Sequence, residues 1–172
     1  MQLAMNPSLA DARDSFDALL QAHRKIVFKV ASSYASSVED RADLAQEITA
    51  QLWRAFPAYD PQRSFSTWMY RIALNVAISQ YRIAARDRRH TIALDESLHD
   101  LADDSTHADV DEVGVRELQS VIARLDPLNR ALLVLYLEER STREIADILG
   151  ISDSNVTTKL SRLRQRLRTE LA

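Results

Sequence analysis

Ser141-Thr142-Arg143-Glu144-Ile145-Ala146-Asp147-Ile148-Leu149-Gly150-Ile151-Ser152-Asp153-Ser154-Asn155-Val156-Thr157-Thr158-Lys159-Leu160-Ser161-Arg162-Leu163-Arg164 carries its own punctuation. Ser141 with Glu144 three residues on is a capping box, in which each residue satisfies an amide of the other, so a helix starts there. Ile145, Ile148 and Leu149 give it a short inward face, and Gly150 suits the left-handed conformation that ends a helix. Ser152 or Asp153 caps the next helix, whose apolar stripe is Val156, Leu160, Leu163 and Leu167. Helix, short turn with glycine and longer helix form a helix-turn-helix, the plan for entering a DNA major groove. With the stripe inward, Ser154, Thr158, Ser161, Arg162 and Gln165 point outward. Small hydroxyls allow close approach, and Arg162 can reach guanine or phosphate. Asn155, Lys159, Arg164, Arg166 and Arg168 lie on the flanks, where phosphates are the expected contacts. An amphipathic hairpin with a solvated basic face is the plainer reading, but it does not account for caps, glycine and basic bias coinciding.

Upstream, Asp126-Pro127 pairs an N-cap with proline at the first helical position and starts a helix running to about Glu139. From Asp95 to Glu112 there are eight acids and no Lys or Arg, a net of −8 without sustained hydrophobic periodicity, which predicts a flexible acidic linker. From Arg54 to Arg89 seven arginines face Asp60 and Asp87, a net of +5. From Asp153 to Arg168 five basic residues face Asp153, a net of +4. Two basic patches flanking an acidic tether reconcile a nucleic-acid partner with the overall charge of −3.

The N-terminal half reads as helix throughout. Phe16, Leu19, Leu20, His23, Ile26, Val27 and Val30 recur at three- and four-residue spacing. A second helix is expected from about Asp40 to Phe56, with Leu44, Ile48, Leu52 and Phe56 every four residues. Pro57 and Pro61 break it, because proline cannot sit inside a helix and restricts the residue before it. A third helix is expected from about Ser66 to Arg86. Only two glycines and four prolines in 172 residues leave few sites for hairpins or phosphate-cradling loops, which predicts an all-α chain. In the third helix the aromatics Phe65, Trp68, Tyr70 and Tyr81 interleave with Arg71, Arg82 and Arg86, a mixture suited to single-stranded nucleic acid. Aromatics at helical spacing also suit a core.

The series Asp43-Leu44-Ala45-Gln46-Glu47 and then Phe65-Ser66-Thr67-Trp68-Met69-Tyr70-Arg71-Ile72-Ala73-Leu74-Asn75 resembles domain two of the extracytoplasmic-function (ECF) sigma factors of bacterial RNA polymerase. Leu125-Asp126-Pro127, Ser141 to Ala146, Gly150-Ile151-Ser152 and Asn155 to Arg164 resemble domain four of the same family. The resemblance implies two small helical domains, 1–90 and 115–172, joined by the acidic linker 91–114. It implies that Asp43, Leu44, Gln46, Glu47 and Trp53 dock on the polymerase. Tyr59, Asp60, Gln62, Arg63 and Ser64 would form a loop that captures a base flipped from the minus-ten element, with Trp68, Arg71, Asn75, Ser79 and Arg82 beside the same strand. Ser154, Asn155, Thr157, Thr158, Lys159, Ser161, Arg162 and Arg164 would contact the minus-thirty-five element. The implied partners are core RNA polymerase, promoter DNA both duplex and melted, and an anti-sigma factor or other regulator.

Other classes remain open at this point. A conventional regulator would pair the helix-turn-helix with an N-terminal sensing or dimerisation domain, would be a dimer, and would have no use for the aromatic-basic helix. A helical interaction protein or enzyme finds little support. His23, His90, His99 and His107 lack metal-ligand spacing, no nucleophile with its base and orienting acid can be assembled, and there is no cysteine. No cofactor, metal or enzymatic activity is expected. No apolar run approaches the roughly 20 residues that cross a bilayer, and Met1 to Leu9 lacks the features of a secretory signal, so a cytoplasmic protein without a membrane partner is expected.

Overall fold

The computed structural model describes residues 9–92 and 120–170. The stretch Asp95 to Glu112, read as an acidic linker, lies outside the described residues. Every regular element among them is helical: α1 (Leu9–Tyr34), α2 (Val38–Ala55), a 3-10 turn (Phe56–Ala58), α3 (Phe65–Ile92), the segment 120–124, α4 (Pro127–Leu137), α5 (Thr142–Leu149) and α6 (Asp153–Glu170). The chain divides into two compact units, Met1–Val76 and Ala77–Ala172, with the division inside α3.

In the first unit α1 and α2 form a hairpin. Most of the stripe expected from spacing is inward: Phe16, Ile26, Val27 and Val30 of α1 and Leu44, Ile48 and Leu52 of α2 are buried, while Leu19, Leu20, His23 and Phe56 are half-buried. Helix α2 starts two residues before the sequence suggested, because the Ser37 hydroxyl accepts the Asp40 amide at 3.0 Å and caps the first turn. It ends at Ala55, where Pro57 tightens the chain into the 3-10 turn. Along α3, Phe65, Met69, Tyr70, Ala73, Leu74 and Ala77 make the buried stripe. This helix continues past the expected end at Arg86, since Asp87-Arg88-Arg89 holds no glycine or proline and arginine is a good helix former.

The C-terminal helices pack around Leu125, Leu132, Leu135, Ile145 and Val156, each less than 2 % exposed. Asp126 caps α4, its carboxylate accepting from the amides of Leu128 and Asn129 at 3.2 and 3.1 Å. Arg130 is buried beside it and donates to the carbonyls of Ala123 and Leu125 at 2.8 and 3.2 Å, satisfying groups that the end of the 120–124 segment leaves open. Helix α4 stops at Leu137, short of Glu139, in a paired closure: the Glu139 amide donates to Tyr136 and the Arg140 amide to Leu135, at 3.0 and 3.1 Å. That closure puts Glu139 at φ 56°, the left-handed region, where glycine is favoured.

Gly150 closes α5 with the same left-handed backbone at φ 67°, its amide and that of Ile151 both donating to the Ala146 carbonyl, and a Cβ added there would meet nothing within 4 Å. The two positions therefore give opposite expectations. Glu139→Gly should stabilise the protein by about 1 kcal/mol, and Gly150→Ala should destabilise it by about the same amount through backbone conformation alone. Urea denaturation of the two variants checks both signs.

Candidate nucleic-acid interface

The second helix of the helix-turn-helix, α6, is positioned from its N-terminal side. The Ser141 hydroxyl donates to Glu144 Oε2 at 2.8 Å, the Ser141 amide donates to the same oxygen at 2.9 Å, and the Glu144 amide donates back to Ser141 Oγ at 3.2 Å. The predicted capping box is complete. Arg140 adds an ion pair to Glu144 at 3.3 Å. The Ser141 amide foremost, then its hydroxyl and Arg140, hold the Glu144 carboxyl below its ordinary value of 4.5. After the Gly150 turn, Ser152 is the cap of α6, accepting the Asn155 amide at 3.2 Å.

Around α6, Val156, Leu160 and Leu163 are buried, while Ser154, Asn155, Thr157, Thr158, Ser161 and Arg162 are exposed and Lys159 is half-buried. The helix thus leaves these seven candidates outside its buried stripe, Ser154, Thr158, Ser161 and Arg162 on the outer face with Gln165, and the others on its flanks. Arg164 is also exposed, but its guanidinium lies 5.6 Å from the centre of the Tyr136 ring, an attractive cation–π contact.

The segment between the 3-10 turn and α3 is a closed loop. Tyr59 donates its hydroxyl to the Arg63 carbonyl at 2.7 Å, the Arg63 amide donates to the Asp60 carbonyl at 2.9 Å, and the Gln62 amide donates to Asp60 Oδ1 at 2.9 Å. Asp60 and Arg63 approach at 4.0 Å. Ser64 accepts from the Thr67 amide at 3.4 Å at the head of α3. The Tyr59 ring lies parallel to Phe56 at 6.0 Å and meets Phe65 and Trp68 at 5.3 and 5.0 Å. Tyr59 therefore anchors the loop, while Asp60, Gln62, Arg63 and Ser64 are exposed at its rim.

Beyond the loop, Arg71, Asn75, Ser79 and Arg82 are all exposed and have no intramolecular partner among the described residues. At about 100° per residue they share one face of α3 with half-buried Trp68. The four aromatics do not share it as an exposed stacking set. Phe65 and Tyr70 are 6 % and 0 % exposed, because they occupy the core stripe of the same helix, and Trp68 and Tyr81 are half-buried.

On α2, Asp43 and Gln46 are exposed and Trp53 is 36 % exposed. Leu44 is only 4 % exposed, since it lies on the inward stripe with Ile48 and Leu52 and supports the helix from the core side. Glu47 is half-buried and Oε1 accepts from Gln51 at 2.9 Å and from Arg54 at 3.0 Å. Gln46 and Trp53 line a groove of about 630 Å³ between α1 and α2, with Arg13, Phe16, Asp17, Ala45, Thr49 and Ala50. Arg13 and Asp17 were not legible as site residues, since only the packing of α1 on α2 brings them beside Trp53, whereas Thr49 and Ala50 lie one turn before Trp53 on α2 itself. The edge-on contact of Phe16 with Trp53 at 5.2 Å makes the groove floor.

Among known proteins, the family described as Sigma-70 region 2 matches residues 19–87, and that described as Sigma-70, region 4 matches residues 115–167. The chain is 26% identical to the ECF RNA polymerase sigma factor SigW of Bacillus subtilis, with 92% of this chain and 90% of that protein covered. It is 29% identical to the ECF RNA polymerase sigma factor SigE of Mycolicibacterium smegmatis over 94% of this chain, but spans only 63% of that longer protein. Its fold is similar to that of the sigma factor RpoE from Bartonella quintana, solved with the anti-sigma factor NepR. The TM-score is 0.68 at 19% identity, covering 95% of this chain and 98% of that one.

Two local tests follow from the geometry. Tyr59→Phe keeps the ring contacts and loses only the loop-closing hydrogen bond, worth about 1 kcal/mol, so trypsin should cleave after Arg63 about fivefold faster with little change in melting temperature. Because the folded pKa of Glu144 is depressed, its contribution to stability is complete above pH 4.5 and is lost as pH falls through that value to the folded one. Stability measured against pH should show Glu144→Gln less stable than wild type above pH 4.5, with the difference shrinking at lower pH.

Proposed function

The chain belongs to the ECF sigma factors, carrying Sigma-70 region 2 and then region 4, and from that membership we propose how its surfaces share the work of starting transcription. It is a transcription initiation factor: it binds core RNA polymerase and directs it to promoters. In this reading residues 1–90 dock on polymerase and open the minus-ten element, 91–114 tether, and 115–172 hold the minus-thirty-five element. The protein works in the cytoplasm with polymerase. An anti-sigma factor is the proposed regulator, supported by the solved pairing of the similar RpoE with NepR.

Docking is assigned to the exposed side of α2, through Asp43, Gln46, Glu47 and Trp53, with Leu44 holding that helix from within. Upstream duplex recognition is assigned to Ser154, Asn155, Thr157, Thr158, Lys159, Ser161, Arg162 and Arg164 on α6. The melted strand is assigned to the Asp60 to Ser64 rim and to Trp68, Arg71, Asn75, Ser79 and Arg82. Tyr59 acts there by fixing the loop. The observation that carries the reading is this last arrangement: a closed, aromatic-anchored loop leads into a stripe of polar side chains without partners among the described residues. A factor that only bound duplex DNA would need α6 alone. Extruding a base costs a few kcal/mol, so a loop held in shape beforehand can recover that cost without also paying to order itself.

If the docking assignment holds, Gln46→Ala combined with Glu47→Lys weakens co-elution with core polymerase while the helical circular-dichroism signal persists. Unchanged co-elution counts against it. If the loop assignment holds, changing Gln62-Arg63-Ser64 to alanines leaves polymerase binding intact and abolishes promoter opening. Permanganate footprinting of promoter thymines reads this, and a template with a pre-melted bubble should recover part of the signal because its unpairing cost is already met. Wild-type melting by the loop variant would reduce the loop to a connector.

A further inference from the structure

Thr157 and Thr158 are exposed on α6, yet each spends its hydroxyl proton on its own helix. Thr157 donates to the Asp153 carbonyl at 3.0 Å and Thr158 to the Ser154 carbonyl at 2.9 Å. A hydroxyl oxygen whose proton is so engaged has only lone pairs left to offer. The other group at the end of a threonine is a methyl. One turn further on, Arg162 is exposed, has no partner among the described residues and offers donors only. The outer face therefore changes chemistry along its length, from acceptor and methyl to pure donor.

The major groove presents matching differences. An A·T pair shows the adenine amino donor flanked by the acceptors N7 and thymine O4, with the thymine methyl beyond O4, a cytosine shows an amino donor without a methyl, and a guanine shows two acceptors. Free serine or threonine hydroxyls serve either sign of partner. A hydroxyl already donating to its helix loses that indifference, because meeting a guanine acceptor would require breaking the internal bond. We propose that Thr158, assisted by Thr157, is a specificity-determining residue that selects an A·T pair in the upstream element, with Arg162 selecting a G·C pair about two steps away. Four residues of helix rise about 6 Å, close to two base-pair steps of about 3.4 Å. The inference rests on α6 being the recognition helix.

The probe is a promoter duplex selected by wild-type holoenzyme from a pool randomised in the upstream element. Deoxyuridine then replaces each thymine, removing one methyl, and a purine lacking the 6-amino group replaces each adenine, removing one donor. Both replacements at one A·T position should weaken wild-type binding, by about fourfold for the methyl. Thr158→Ser should lose sensitivity to deoxyuridine and keep sensitivity to the missing amino group, and Thr158→Val should do the reverse. The proposal is overturned if neither replacement matters at any position, or if both variants weaken binding equally on every sequence, as phosphate contacts would. Failure of the reading beneath it looks different: the selected pool would contain no upstream element at all, and the proposal would fall with it.

Discussion

Each helix of this protein repeats every 3.6 residues, and on that period depend both the cores and the surfaces left for partners. Met69, Ala73 and Ala77 face inward from α3 while Arg71, Asn75, Ser79 and Arg82 face outward from the same turns. On α6, Val156, Leu160 and Leu163 are buried between exposed Thr157, Thr158, Ser161 and Arg162. Each recognition surface proposed on a helix is the back of a packed stripe, so its side chains are held in place by the core beneath them, which would keep the ordering cost of binding low.

One place cannot be built this way, because the chain has to turn from α2 into α3. There the aromatic rings take over. Phe56 meets Phe16 at 5.1 Å and Trp68 at 6.4 Å, Phe65 meets Trp68 and His23 at 5.3 and 5.2 Å, and Tyr59 sits among them. Rings of this size bury large apolar areas at few rotatable bonds, and their mutual geometry is directional. The result is an exposed loop with a rigid base. That combination suits the role proposed for the loop, which needs its shape in place before a base arrives.

Much of this was legible in the chain itself. The capping box at Ser141 and Glu144, the Gly150 turn and the Val156, Leu160 and Leu163 stripe of α6 are local features, and local chemistry was enough to place them. What depended on tertiary contact was not. Leu44 lies in the motif that resembles a docking surface, yet its place on the inward stripe buries it. Phe65 and Tyr70 looked suited to stacking on bases until packing claimed them for the core. That the Tyr59 hydroxyl closes on the Arg63 carbonyl four residues later is likewise a matter of the loop's folded shape. The buried Arg130 and the groove wall at Arg13 and Asp17 have no signature in sequence, since each gains its role from an element brought to it by folding.

A sigma factor differs from a conventional helix-turn-helix regulator in needing polymerase to act, and giving polymerase its address in return. The most direct measurement is transcription in vitro from a library of genomic fragments by core RNA polymerase with and without this protein. The expected result is a monomer that adds defined start sites to an otherwise non-specific core, each preceded by a shared pair of elements at constant spacing. A dimer that binds a palindromic site without polymerase, and leaves the start sites unchanged, would contradict it.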